Sequence, residues 1–124
     1  MQNSNPKVKS DIRNRCYQFG LAVLRLVDQL PQRRSAQIIA DQLLRSSTSI
    51  GANLVEGRAA SSRLEFKKYY EISLKSANET IYWLSMLRDA QLTSSDKVQP
   101  LLDEAGEISK MLALGVMKLK NIKF

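Results

Sequence analysis

Apolar residues return every third or fourth position along four separate stretches of this chain, a period that suits one face of a helix and not a strand. The first stretch carries Ile12, Cys16, Phe19, Val23, Leu26 and Leu30. It predicts a helix over about residues 11–30, with Ser10 as N-cap, Asp11 in the positive first turn and Pro31 as the stop. The second starts near Ser35 and sets Ile39, Leu43, Ser46, Ile50, Asn53 and Leu54 on one side. Its Ser46, Ser47, Ser49, Gly51 and Ala52 are small enough to let a neighbouring helix close in, and Gly57 marks its predicted end.

The third stretch opens on Ser62, Arg63, Leu64 and Glu65, the spacing of a capping box in which the Ser and Glu side chains satisfy each other's open backbone donors. It runs through Phe66, Tyr70, Ser73, Ala77, Ile81, Leu84 and Leu87 to about Ala90, with Tyr69 and Trp83 on flanking positions. After the polar Thr93, Ser94 and Ser95, the last stretch repeats Leu101, Ala105, Ile108, Leu112 and Leu119. Pro100 either lies in its first turn or is where the regular helix begins. Four amphipathic helices on short links favour antiparallel neighbours. The expected fold is therefore all-α, an antiparallel up-down-up-down four-helix bundle, as one domain over residues 1–124 with residues 1–9 as a flexible amino-terminal tail. No stretch alternates as a strand would.

Composition narrows the chemistry. Histidine is absent and Cys16 is the one cysteine, which removes His-based hydrolytic triads, zinc sites of the usual His and Cys kind, and any intramolecular disulfide. Cys16 sits on the first apolar stripe and reads as a small buried hydrophobe. No apolar run reaches the roughly 20 residues a membrane helix needs, and the polar start lacks a secretory segment, so a cytoplasmic address is expected. No cofactor and no metal are implied.

Charge is the stronger clue to function. The formal net charge is +7, and the excess lies wholly in residues 1–75, which hold 13 Lys and Arg against 6 Asp and Glu. An up-down-up-down bundle gathers its amino terminus, its second-to-third link and its carboxyl terminus at one pole. That pole would collect Lys7, Lys9, Arg13, Arg15, Arg58, Arg63, Lys67, Lys68, Lys118, Lys120 and Lys123 against Asp11, Glu56 and Glu65. Of these, Arg13, Arg15, Arg58, Arg63, Lys67, Lys68, Lys118 and Lys120 form the candidate nucleic-acid interface, because clustered cations release counterions from a phosphate backbone. Tyr69 and Tyr70 lie close enough to consider base stacking, although Tyr70 falls on the apolar stripe and fits the core better.

The second and third helices read LLRSSTSIGANLVEGRAASSRLEFKKYYEISLKSANE. This segment resembles the four-helix-bundle family encoded within intervening sequences of bacterial 23S ribosomal RNA genes. The resemblance rests on Arg45, Ser49, Ile50, Asn53, Glu56, Gly57, Ser62, Glu65, Phe66, Ser76 and Glu79, and extends more weakly over residues 19–120. Arg58-Ala59-Ala60 and Lys75-Ser76 depart from the family's usual residues. The resemblance implies a homopentamer. It also implies kinship with accessory proteins of diversity-generating retroelements, which bind nucleic acid and a reverse transcriptase. Arg45, Asn53, Glu56 and Glu79 read as a polar site between the second and third helices or, in better accord with bundle interiors, as a network that fixes helix register or a subunit contact.

Three functions compete on these residues. The leading one is a non-catalytic, oligomeric nucleic-acid-binding protein of RNA, DNA or both. A second is a pure protein-interaction scaffold, suggested by Met111, Leu114, Val116 and Met117, which make the last helix apolar on more than one face. The third is a magnesium-dependent phosphohydrolase using Asp103, Glu104 and Glu107 with Glu79.

Overall fold

The structure, a computed structural model, describes residues 11–120. Lys7, Lys9, Ser10 and Lys123, with the tail expected over residues 1–9, lie outside them. The four helices are α1 (Ile12–Val27), α2 (Arg34–Arg58), α3 (Arg63–Asp89) and α4 (Ser95–Lys120), with no strand among the described residues. Contacts run in opposite senses along neighbouring helices. Ser73, Ser76 and Thr80 of α3 meet Ile50, Ser49 and Ser46 of α2 in that order, while Tyr70 and Asn78 of α3 meet Gly115 and Ser109 of α4. Each helix packs on the next and α1 closes onto α4, which makes the antiparallel four-helix bundle. One core runs through it, built on Phe19, Val23, Leu43, Ile50, Leu84, Leu87, Ile108 and Leu112.

The helix ends depart from the expected ones for physical reasons. Asp11 is the N-cap of α1, its carboxylate accepting from the Arg13 backbone N–H at 3.1 Å. The helix stops at Val27 and not Leu30, because the residue before Pro31 is pushed out of the helical region; Gln29 and Leu30 instead donate to Leu26 and Val27 in tight turns, which keeps Leu30 buried. Ser62 caps α3 by accepting from the Glu65 N–H at 3.1 Å, but the Glu65 carboxylate accepts from the Ser61 N–H at 2.8 Å and not from Ser62. Only half of the expected box forms. At the other end Gln91 is left-handed (φ 57°), and Leu92 donates to the Leu87 carbonyl, a Schellman closure made without glycine.

Pro100 and Gly57 also take unexpected roles. Pro100 lies in the second turn of α4, on an exposed face, so the Asp96 carbonyl deprived of its partner can be solvated. Gly57 is helical and does not terminate α2 through a left-handed turn. It is buried because a Cβ there would stand 3.1 Å from the Tyr69 Cβ and 3.4 Å from the Phe66 ring, so its missing side chain lets α3 close onto α2. The buried stripe of α4 keeps Ala105, Ile108 and Leu112 of the expected one but differs at its ends, where Val98, Leu102 and Val116 are buried and Leu101 and Leu119 are only partly covered. Val116 thus belongs to the core, while Leu114 and Met117 stay exposed.

Candidate nucleic-acid interface

The pole that holds the start of α1, the α2–α3 link and the end of α4 is organised around Phe66. One recess of about 540 Å³ is lined by Gly57, Arg58, Ser61, Arg63, Phe66 and Leu119, so the α2–α3 link and the last turn of α4 share a wall. A second, of about 300 Å³, joins Arg13 of α1 to Arg58, Phe66 and Tyr70. Lys118 and Lys120 flank Leu119, and Lys120 shares a further cleft with Lys68. The structure thereby brings Arg13, Arg58, Arg63, Lys68, Lys118 and Lys120 to one end of the molecule, with the half-buried Lys67 on the same turn of α3 as Lys68. Among the described residues Arg58, Lys67, Lys68, Lys118 and Lys120 make no ion pair. Glu56 is exposed, and Arg13 reaches Asp11 at 3.4 Å.

Arg15 does not join them. Its guanidinium grips Glu104 of α4 with both carboxylate oxygens, Nε to Oε2 at 2.6 Å and Nη2 to Oε1 at 2.9 Å, and Nη1 lies 3.3 Å from the Met111 sulfur. The Glu104 hydrogen bond raises the Arg15 pKa further. Arg15 faces the α1–α4 seam, where a planar fork matched to a carboxylate holds the two helices together. It leaves the candidate interface. The same pairing dismantles the proposed magnesium set: Glu104 is held by Arg15, Glu79 lies on α3 against Arg45, Asp103 accepts from Gln99 at 2.9 Å, and Glu107 lies 3.7 Å from Lys110. Among the described residues no three His, Cys, Asp or Glu side chains group as a metal site would require.

Several of the family-motif residues line the contact between α2 and α3, but Glu56 is exposed and stands apart from Arg45, Asn53 and Glu79, and Glu65 turns back onto Ser61 of the link. Thr80 donates to Ser46 at 2.9 Å, Ser76 to Ser49 at 3.0 Å, and Ser73 to the Ile50 carbonyl at 2.8 Å, a ladder of hydroxyls that replaces bulk with hydrogen bonds. Asn53 donates to the Ser49 carbonyl and hydroxyl at 2.8 and 2.9 Å. On the outer side Arg45 pairs with Glu79, which also accepts from the Trp83 indole N–H at 2.9 Å. That indole donation, helped by Arg45 against a smaller opposing effect of burial, holds the Glu79 carboxyl below the usual range. Among the described residues every buried side-chain polar atom has a partner. The seam is satisfied from within: Ser49, Arg45 and Glu79 bond across it, whereas Asn53 bonds only back to Ser49 within α2. Sequence reasoning missed Trp83 as the partner of Glu79, although their spacing of four puts them on one helix face. It also missed the ladder, whose signal was hydroxyls at positions the apolar stripe would otherwise occupy.

Cys16 is 1% exposed, and burial pushes its thiol up to about 12. Native protein at pH 8 should therefore react with a chromogenic disulfide reagent on the order of a thousandfold more slowly than the denatured chain, since the thiolate is the nucleophile. Rapid stoichiometric labelling of the folded protein would show that α1 is not seated on the bundle.

Helix order, helix direction and an internally bonded α2–α3 seam place this molecule among small basic proteins built as antiparallel four-helix bundles. Comparison with known families agrees with that class: the sequence model of the 23S rRNA-intervening sequence protein family matches residues 8–114. The chain belongs to this family. A crystal structure of a protein of unknown function from the S23 ribosomal protein family of Bacteroides thetaiotaomicron is 31% identical with a TM-score of 0.79, covering 85% of this chain and 97% of that one. No curated protein matches the chain. No helix among the described residues is long and apolar enough to cross a membrane.

Proposed function

We propose that this protein is a non-catalytic, oligomeric nucleic-acid-binding bundle. The reading is carried by the assembly of Arg13, Arg58, Arg63, Lys68, Lys118 and Lys120 at one pole from three separate parts of the chain. Such a pole concentrates positive potential where no single helix would, and it attracts a phosphate backbone irrespective of sequence. The family's name points to RNA as the first ligand to try. Assembly into a homopentamer, as the resemblance implies, would set several poles side by side and multiply their contacts by avidity.

Filter binding of structured RNA and of duplex DNA across a salt series tests the reading. Affinity should fall steeply as salt rises. Binding no tighter than that of an unrelated protein of equal charge would defeat it.

A second reading, a protein-interaction scaffold such as a partner of a retroelement reverse transcriptase, is favoured by a different face. Tyr17 (63% exposed), Leu24 and Val55 (60% exposed) surround a groove of about 310 Å³ between α1 and α2, floored by Gly20, Gly51 and Ala52. Apolar side chains grouped around a shallow, small-residue floor suit a packed protein contact, whether with another subunit or with a different chain. A monomer by light scattering at micromolar concentration would count against the pentamer, and no binding of nucleic acid at low salt would favour the scaffold.

A further inference from the structure

We infer that the open cleft over the outer side of α3 and the last turns of α4 takes single-stranded nucleic acid in preference to duplex, an inference that rests on the nucleic-acid reading above. The cleft, of about 780 Å³, combines Lys68, Lys75 and Lys120 with Tyr69, Ile72 and Val116. The three lysines are exposed and make no ion pair among the described residues. Lys68 and Lys75 stand about 10 Å apart along the helix axis, at roughly 1.5 Å per residue. Ile72 lies between them in sequence and is 43% exposed.

This mixture fits one form of nucleic acid and not the other. A duplex meets a surface chiefly through its phosphates and keeps its base faces stacked inside. Laid on this cleft, it would press charged phosphates against Ile72 and against the carboxylate of Glu71, which also lines the cleft. A single strand separates the two chemistries, with phosphates along one edge and bare base faces and base N–H donors along the other. Lysines then meet phosphates, the Tyr69 ring and Ile72 meet base faces, and Glu71 accepts from a base N–H group. The second carboxylate of the cleft, Glu65, is already turned back onto the Ser61 N–H at 2.8 Å. Tyr69 is held for this role from behind, its Cβ packed against Gly57 of α2.

The test compares a fluorescently labelled, unstructured RNA strand with a duplex of equal phosphate number, titrated with the full chain. Wild type should bind the strand about tenfold more tightly, in line with one stacked base. Tyr69→Leu keeps bulk against Gly57 and removes the ring; it should lose most of that preference and leave both the duplex affinity and the salt dependence unchanged. Tyr69→Phe should bind as wild type does, and a helical melting curve for each variant guards against misfolding. Equal affinity for strand and duplex, or a Tyr69→Leu protein that keeps the preference, overturns the inference and leaves nucleic-acid binding standing. Failure of wild type to exceed a protein of equal charge on either ligand overturns the underlying reading instead.

Discussion

The combined replacement Arg58→Ala, Lys118→Ala, Lys120→Ala is expected to weaken nucleic-acid binding at low salt by about 10- to 100-fold and to flatten its salt dependence. Each lost phosphate contact lowers the slope of log affinity against log salt by about 0.9 on duplex and about 0.7 on single strands, so three lost contacts flatten it by roughly 2 to 3. These cations make no ion pair among the described residues, so their removal leaves no carboxylate stranded. The matched control is Arg33→Ala, Arg34→Ala, Lys97→Ala, which removes the same charge from exposed positions at the opposite pole. It should leave the slope nearly unchanged. An equal effect of the two triple variants, measured by filter binding between low and physiological salt, would mean that net charge and not the shape of the pole governs binding.

Gly115→Ala is expected to destabilise the bundle by about 1 kcal/mol or more, against the usual gain of about 1 kcal/mol from replacing glycine inside a helix. A Cβ at Gly115 would stand 2.3 Å from the Tyr70 Cε2 and 3.0 Å from its Cζ. The ring has little room to yield, because it is half-buried and leans on Phe66 with centroids 5.5 Å apart. Gly106 is the contrast: nothing lies within 4 Å of a Cβ built there, so Gly106→Ala should stabilise the protein. Urea midpoints at one fixed protein concentration decide both, since subunit association would otherwise shift them. In a Tyr70→Leu background the penalty of Gly115→Ala should shrink; an unchanged penalty would show that the clash lies elsewhere. Tyr70 also lines the recess shared by Arg13 and Arg58, so displacing its ring disturbs the basic pole as well.

The contrast between Gly115 and Gly57 on one side and the first apolar stripe on the other shows where sequence reasoning works. Ile12, Cys16, Phe19, Val23 and Leu26 could be assigned to one inward face because helix period is a local property of the backbone. The N-cap at Ser62 was equally legible, since a hydroxyl reaches a backbone donor only three residues away. Gly57 stands one residue from the end of α2, as its place in the sequence predicts, but not as a left-handed stop: glycine has two uses, freedom of φ and absence of a Cβ, and only the approach of Tyr69 and Phe66 says which one applies. The two ends of the α4 stripe escape the sequence for a related reason, while Ala105, Ile108 and Leu112 between them are buried as expected. Val98 and Leu102 are as compatible with the helical period as Leu101 and Leu119, and the choice belongs to the helices that face them.

The basic pole divides the same way. Lysines and arginines could be counted along the chain, and antiparallel order could be argued from short links, so their gathering at one end was open to inference. Arg15 could not be told from Arg13 in that manner. Its partner Glu104 lies 89 residues away on the last helix, and half a turn of rotation of either helix about its axis would have parted the two side chains. Periodicity, caps and charge follow from neighbours within a few residues. Pairings, close approaches and the difference between a bound and an available cation follow from how each helix is rotated about its axis, and that rotation is set by packing across the whole bundle.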